Sequence, residues 1–326
     1  MKKKFSIKGG KVATAIVFLT LVLVFTLGQP IQGEAKTAVQ LVSASMGGDT
    51  YFWAAVASKT LNEVLTDYEF SVRAGTTSAN IVQLEKGEIQ LAYAHSQIYA
   101  AMYGKEALKR TRLREVWPMN NRAYIVVVAK DSPVRTIADL KGKKVSCGIK
   151  TGEGAMFLEY LAALGLSKDD YNLFFIGKAE GIEAFKSGSV DAVAGVTVFP
   201  SSMFSQLASS RRGARLVGWH DADLDRILPP RRPFEFPGVI PGGIHPDIPK
   251  DVRTIFGWDP LCARDDLSPE LVYRIAKALH THHKDLIQAF PPAKDSTAEN
   301  FLKFHGFPIH QGAERLLKEL NLAGTK

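Results

Sequence analysis

Three short turns rich in glycine, serine and threonine carry the residues best suited to holding a small polar molecule. They span residues 47–51, 75–80 and 150–155, and each opens a segment with helical spacing of apolar residues. Backbone N–H groups and the positive dipole end at a helix N-terminus suit anionic groups. Any one such turn reads equally well as an ordinary strand-to-helix connection with a capping residue. Three of them at equivalent positions predict a ligand site.

Two acidic residues and one arginine bear on the charge of the predicted ligand. Asp49 and Glu153 lie in or beside two of the turns, where they either cap the helix dipole or face the ligand. In the second case they could bind an ammonium group, which favours an amino acid over a simple dicarboxylate. Arg122 either pairs bidentately with a ligand carboxylate or is a solvated surface side chain. One ring of the aromatic run 51–53 could stack on the ligand, the others being core.

The candidate ligand-binding residues share one property, which is that they lie in or beside turns at the ends of predicted strands. They are Ser45, Gly48, Asp49, Thr50, Tyr51, Thr76, Thr77, Ser78, Asn80, Ser96, Arg122, Thr151, Gly152, Gly154, Ala155, Thr197 and Phe199.

The sequence patterns that would indicate catalysis or metal binding are weaker than the three turns that indicate a ligand site. The sequence has no G-x-S-x-G element, no Cys/His nucleophile arrangement and no paired-carboxylate signature. His280 and His283 share a helix face, but no carboxylate or cysteine completes a ligand set nearby. We therefore predict a binding protein with no catalytic residues, no metal and no cofactor. The alternative of an enzyme on the same scaffold lacks any supporting constellation.

The turns are positioned by a repeating strand, polar turn and helix pattern. Predicted strands at 39–44, 70–73 and 89–94 are each followed by a polar turn and a helical segment. This rhythm predicts parallel strands with right-handed crossovers, in which ligands sit beyond the carboxyl ends of the strands. Residues 130–235 repeat the rhythm as a second α/β unit.

A proline-rich stretch divides the second unit from the rest. Residues 229–249 contain seven prolines and are predicted to be extended, returning the chain to the first unit. We expect a strand at 254–263 and an amphipathic helix that begins after Ser268. The predicted organisation is lobe 1 (36–129 plus 236–326) and lobe 2 (130–235), with a hinge near 126–129 and 236–240.

The N-terminal segment has the pattern of a cleaved secretory signal. A lysine-rich start precedes the apolar run 12–27, and small residues at 33 and 35 suit cleavage near Ala35. The alternative is an uncleaved N-terminal anchor. Removing residues 1–35 takes away five lysines and one glutamate, leaving 36 basic and 32 acidic residues. The remaining charges are dispersed, so no nucleic-acid partner is predicted.

The chain has two cysteines, Cys147 and Cys262, each inside an apolar, strand-like run. An exported chain could pair them. Because the two runs belong to different parts of the predicted fold, we expect two separate buried thiols instead.

The chain resembles the TAXI-type solute-binding proteins, the extracytoplasmic receptors of one class of TRAP transporter. The motifs include Ala-Asp-Leu-Lys-Gly-Lys-Lys-Val at 138–145 and Phe-Pro-Ile-His-Gln-Gly-Ala-Glu-Arg at 307–315. Further matching stretches are 47–51, 75–80 with Leu84, Gly87 and Leu91-Ala92, 131–132, 179–191 and 267–279. Asp49 interrupts the usual Gly-Gly-Thr-Tyr turn, and 120–123 replaces a Glu-Pro element. The resemblance implies a two-lobe, type II periplasmic binding protein-like α/β fold with a hinge and a central ligand cleft.

The resulting functional expectation is a monomeric periplasmic receptor for a small organic anion, either a carboxylate or an acidic amino acid. The resemblance implies delivery of this ligand to a TRAP membrane permease driven by an ion gradient. The alternative is a sensory receptor that presents the same ligand to a signalling partner.

Overall fold

The computed structural model of the protein describes residues 36–231, 234–303 and 306–322. The predicted signal segment 1–35 and its cleavage site lie outside these residues. No helix in the described ranges is long and apolar enough to cross a membrane.

The first part of the chain alternates strand and helix as predicted. Each polar turn falls between a strand and the N-terminus of the next helix, and Gly87 ends the second helix with a φ of 73°. The elements are β1 (Thr37–Val42), α1 (Asp49–Val64), β2 (Tyr68–Arg73), α2 (Thr77–Lys86), β3 (Leu91–Tyr93) and α3 (Ser96–Tyr103). A short 3-10 segment, Lys105–Lys109, follows them.

The middle of the chain begins with the 16-residue strand β4 (Leu113–Val128), of which only the second half was predicted. Strands and helices then alternate again. They are β5 (Lys144–Ser146), α4 (Glu153–Ala163), β6 (Asn172–Phe174), α5 (Lys178–Ser187), β7 (Ala192–Thr197), α6 (Ser202–Ala208), β8 (Arg215–Val217) and α7 (Asp221–Ile227). Short 3-10 turns lie at Ala138–Leu140, Lys168–Asp170 and Pro229–Arg231.

The last part contains the predicted strand and amphipathic helix. The Ser268 side chain accepts a hydrogen bond from the Leu271 N–H, and Pro269 is the first helical residue, as expected for a helix start. The elements are β9 (Glu235–Ile240), β10 (Val252–Arg264), α8 (Pro269–Thr281), α9 (His283–Ala289) and α10 (Gln311–Glu319), with 3-10 segments at Pro291–Asp295 and Ala298–Lys303.

The strands form one mixed sheet in the order β2-β1-β3-β10-β4-β7-β5-β6. The pairs β1–β3, β5–β6 and β5–β7 are parallel, as the repeating pattern predicts. In contrast, β10 is antiparallel to β3 and β4, and β4 is antiparallel to β7. The prediction of a parallel sheet is therefore wrong for the two long central strands.

We call the paired strands β4 and β10 the crossing ribbon, because both run from one half of the sheet to the other. One end of β10 pairs with β3, and one end of β4 pairs with β7. Pro118 and Pro260 are partners near the middle, where the register shifts. Since proline has no N–H to donate, the hydrogen-bond ladder is interrupted at this point.

Each half of the sheet is covered on both faces by its own apolar clusters. One pair of clusters contains α1 and α8 residues on one side and α2 residues on the other. The second pair packs on residues 123–128 of β4, and includes Ile240, Ile248 and Ile255. The two-lobe α/β fold is thus confirmed, although the chain from Ala38 onward forms one compact unit.

The boundaries and the hinge near 126–129 and 236–240 stay predictions. The strands change partners near residues 118–122 and 257–260, which favours a hinge closer to the middle of the crossing ribbon.

Cys147 and Cys262 are buried and unpaired, which confirms the expectation of two separate thiols. Burial raises the pKa of Cys147 to about 12 and that of Cys262 well above its usual value. Neither thiol therefore has the exposed thiolate character that reactive cysteines need.

Candidate functional site

Asp49 reaches from the start of α1 in lobe 1 to the strand and helix ends of lobe 2. It is the first residue of its helix, after Gly48. Its Oδ2 lies 3.7 Å from the Nζ of Lys178, the first residue of α5. The Thr197 hydroxyl, at the end of β7, donates to the same oxygen at 3.5 Å. Asp49 therefore connects the start of α1 to the start of α5 and the end of β7, and its role as a ligand contact stays a prediction.

Arg122 lies on the crossing ribbon as part of a buried ion pair. Its Nε is 2.9 Å from Oδ1 of Asp259, and its Nη2 is 2.7 Å from Nε2 of His95. The side chain is only 7% exposed. The alternative of a solvated surface side chain is therefore wrong. The predicted bidentate contact with a ligand carboxylate needs two guanidinium donors. The pairing with Asp259 already occupies one of them, Nε.

Asp259 is held by Arg122 and by a tyrosine at the end of β3. The Tyr93 hydroxyl donates to Oδ1 of Asp259 at 3.2 Å. Burial, with a smaller contribution from the charge of Asp49, raises the pKa of Asp259 to about 6 against the opposing effects of Arg122 and Tyr93. The influence of Asp49 on Asp259 indicates that the contact at α1 and the ion pair belong to one electrostatic site.

Two further groups connect this site to α4. The Tyr160 hydroxyl donates to Oε2 of Glu235 at 3.0 Å, and the charge of Glu235 acts on Arg122. The Tyr124 hydroxyl donates at 3.4 Å to the backbone carbonyl of Glu153, the first residue of α4. The start of α4 is thereby fixed against the crossing ribbon.

Three buried side chains near the ion pair and the strand ends have polar atoms without hydrogen-bond partners in the described residues. They are Ser43 Oγ after β1, Ser96 Oγ at the start of α3, and both amide atoms of Asn120 on the ribbon. Each residue is fully buried. Because an unsatisfied buried polar group costs roughly 1–3 kcal/mol, such groups call for a partner from water or ligand.

The second predicted turn has a structural role for two of its residues. The Asn80 amide donates to the backbone oxygens of Ser43 and Tyr93, each at 2.9 Å. It thereby ties the end of β1 to the end of β3. The Thr76 side chain accepts a hydrogen bond from the Ala79 N–H and caps α2. Asn80 and Thr76 already make these contacts within the protein, and their binding to a ligand stays a prediction.

The third predicted turn is closely packed. A Cβ on Gly154 would lie 2.7 Å from the Phe175 ring, so the turn requires glycine there. The Glu153 side chain reaches back over Gly148, with its Oε2 2.6 Å from the position that a Cβ on Gly148 would occupy. Since Gly148 has a φ of +80°, the backbone of this turn also favours glycine.

The other predicted residues differ in exposure. Ser45, Ser78 and Thr151 are exposed; Gly48, Tyr51, Thr77, Gly152, Ala155 and Phe199 are half-buried; Thr50, Ser96 and Thr197 are buried. Their roles as ligand contacts stay predictions.

The sequence analysis missed the residues that hold the ion pair and the contact across the site. They are Tyr93, His95, Lys178, Glu235 and Asp259. One signal was available, since Asp259 is a charged residue inside the apolar strand predicted at 254–263. In the described ranges, no group of three or more His, Cys, Asp or Glu is arranged to hold a metal ion.

Comparison with known proteins places the chain in a family. A model described as the NMT1-like family matches residues 41–320. The chain belongs to the NMT1-like family. This match covers both lobes, so every element of the site lies within it.

Individual relatives are more distant. Over 77 residues the chain is 35% identical to a putative aliphatic sulfonates-binding protein of Escherichia coli strain K12. That segment is 24% of this chain and 24% of the relative, so the chain matches about a quarter of its length.

Two solved structures complete the comparison. A Bordetella bronchiseptica RB50 protein superposes with a TM-score of 0.51 at 15% identity, covering 88% of this chain and 98% of that chain. The Escherichia coli periplasmic aliphatic sulphonate binding protein gives a TM-score of 0.48 at 18% identity, covering 90% and 95%. At this identity the Bordetella match shows the fold alone.

Proposed function

We propose that this chain is an exported solute-binding receptor that captures a small organic molecule between its lobes and delivers it to a membrane transport component. The observation that carries the proposal is the contact of Asp49 with Lys178 and Thr197, which brings helix and strand ends of the two lobes to one place. The name of the Escherichia coli relative, a binding protein, supports the same role.

The ligand proposed for this site is an amino acid, with an acidic one as the first candidate. Around the site, four carboxyl groups face two permanently charged bases, with the imidazole of His95 in addition. The carboxyl groups and the two bases belong to Asp49, Glu153, Glu235, Asp259, Arg122 and Lys178. An excess of carboxylates favours a ligand with an ammonium group, while helix N-termini and Lys178 suit its carboxylate.

For the membrane component we propose a TRAP-type permease, which rests on the TAXI resemblance of the sequence. The aliphatic sulfonate relative makes a sulfonate the competing ligand class. Identifying the transporter genes that adjoin the gene of this chain would test the choice, since a TRAP permease gene is expected there.

A thermal-shift screen of the purified protein tests the ligand proposal. The probes are L-glutamate, L-glutamine, succinate and ethanesulfonate. We expect L-glutamate or L-glutamine to raise the melting temperature and succinate to have a smaller effect, because a bound ligand stabilises only the folded state. Stabilisation by ethanesulfonate alone would contradict the amino-acid assignment. No stabilisation by any probe, and no tightly bound molecule released on denaturation, would contradict the receptor role.

A matched pair of variants then tests the site. Asp49→Asn keeps the side-chain shape but removes the charge that faces Lys178, so we expect about tenfold weaker binding of the stabilising probe in isothermal titration. Asp67→Asn is the control, since Asp67 pairs with Arg274 on the surface. Equal affinities of the two variants would argue against a site at Asp49.

A further inference from the structure

The crossing ribbon has two cavities on the face opposite to the Arg122–Asp259 pair. Their volumes are about 270 Å³ and 230 Å³. Asn121, Phe236 and Asp295 line both of them, so the two cavities adjoin. Together they fall within the size range of small-molecule sites, roughly 300–1,000 Å³.

Strand alternation explains why these cavities are separate from the site described above. Asn121 is the partner of Trp258 in the ribbon, whereas Arg122 is the partner of Gly257. Successive side chains of a strand point to opposite faces. The ion pair of Arg122 therefore lies on one face, and Asn121 and Trp258 lie on the other.

The cavity walls are aromatic. The ring of Phe236 stacks on Phe256, with centroids 6.2 Å apart and an interplanar angle of 21°. It also stacks on Trp258 at 6.3 Å and 30°. These adjoining aromatic rings form a wall that suits a flat apolar molecule.

A minority of the side chains that line the two cavities are polar. The buried Oδ1 of Asn121 has no hydrogen-bond partner among the described residues, so it can accept a bond from a ligand. Lys303 lines one cavity, Lys294 lines the other, and both cavities share the carboxyl of Asp295. Two ammonium groups against one carboxyl group favour an anionic group on the ligand.

Both lobes contribute to these walls. Phe199 follows β7 in lobe 2, while Asp295 belongs to the segment Pro291–Asp295 of lobe 1. The cavities are thus built at the junction between the predicted lobes.

We propose that these cavities form a second binding site, for a small planar aromatic molecule that carries an N–H or O–H donor and an anionic group. The ring lies against Phe236 and Trp258, the donor bonds to Oδ1 of Asn121, and the anionic group pairs with Lys294 or Lys303. The proposal for this second site does not depend on which ligand binds at the site near Asp49.

The test uses 6-anilinonaphthalene-2-sulfonate, which has a planar naphthalene ring, one N–H donor and, at the opposite end of the ring, one sulfonate. Fluorescence titration of the folded protein is expected to show saturable binding to one site. Asn121→Ala is expected to weaken binding about tenfold through the lost acceptor. Phe236→Ala is expected to weaken it at least as much, because a stacking ring is lost. Lys303→Gln tests the sulfonate contact and is expected to weaken binding severalfold.

Phe174→Ala is the matched control, since Phe174 is an aromatic residue that is 40% exposed at the end of β6. Its affinity for the probe is expected to equal that of the wild type. Asn121→Asp keeps the side-chain shape and repels the sulfonate, so it is expected to weaken binding more than Asn121→Ala. If circular dichroism shows that Phe236→Ala does not fold, the comparison of Asn121→Asp with Asn121→Ala still tests the proposal. The absence of saturable binding, or equal affinity of the wild type and both Asn121 variants, would overturn the proposal.

Discussion

The two faces of the crossing ribbon differ in chemistry although they are built from neighbouring residues. On one face Arg122 and Asp259 form a buried ion pair, and Asn120 has unsatisfied amide atoms. On the other face Trp258 and Phe236 line a cavity. The side-chain period of two in a strand produces this difference within three consecutive positions, 120–122. One ribbon can therefore support a charged site and an aromatic site without mixing them.

The comparison also shows that the polar face is a poor source of stability. A buried ion pair recovers in Coulomb attraction only part of what its two charges lose in hydration, and apolar replacements are often as stable. Unsatisfied groups such as those of Asn120 oppose folding as well. Polar groups in this arrangement fit a role in binding better than a role in holding the fold.

The largest expected effect comes from breaking the polar face. Arg122→Met leaves Asp259 buried without its cation, so we expect the free energy of unfolding at pH 7.5 to fall by about 3–5 kcal/mol. Denaturant titration measures this change. Lys141→Met is the control, because the Lys141–Asp170 pair is at the surface and is expected to contribute about 0–1 kcal/mol. If the two substitutions lowered the free energy of unfolding equally, the buried pair would contribute no more to stability than the surface pair.

Acidification is expected to reduce the cost of Arg122→Met. The pKa of Asp259 is raised by burial to about 6, so at pH 5 this carboxyl is mostly neutral and needs no counter-ion. In the wild type, the folded state binds this proton more tightly than the unfolded state. The stability from Asp259 is therefore full below its ordinary pKa and is lost as the pH rises through about 6. Denaturant titrations at pH 5 and 7.5 measure the effect, and an equal cost at both would contradict the assignment.

The smallest expected effect comes from the aromatic face. Phe236→Leu keeps an apolar side chain but removes the stacking on Phe256 and Trp258, which is expected to lower the free energy of unfolding by about 0.5–1.5 kcal/mol. Phe174→Leu, at an exposed position, is the control and is expected to have less effect. If Phe174→Leu were the more damaging of the two, the stacked rings would not be a packed wall.

The local pattern of this fold was predictable from the sequence, because it depends on near neighbours. The strand, turn and helix order follows from apolar spacing, and helix ends follow from residues such as Ser268 and Gly87. The first half of β4 was missed because Arg114, Glu115 and the polar run 120–122 interrupt its apolar pattern.

The centre of the site could not be predicted in the same way. The pairing of Arg122 with Asp259 depends on antiparallel register between distant strands, which no local pattern specifies. The contact of Asp49 with Lys178 depends on how lobe 1 meets lobe 2. Asp49 itself was found from the sequence because it stands at the start of a helix, but its partner was not.

The most direct test compares the adjacent residues Asn120 and Asn121. Two ligands are each titrated into Asn120→Ala and Asn121→Ala: the amino acid that gives the largest thermal shift, and 6-anilinonaphthalene-2-sulfonate. We predict that Asn120→Ala weakens the amino acid about tenfold and leaves the sulfonate probe unchanged, and that Asn121→Ala does the reverse. If both variants weakened the same ligand, or if Asn120→Ala bound the amino acid as tightly as the wild type, the assignment of the polar ribbon face as the solute site would be wrong.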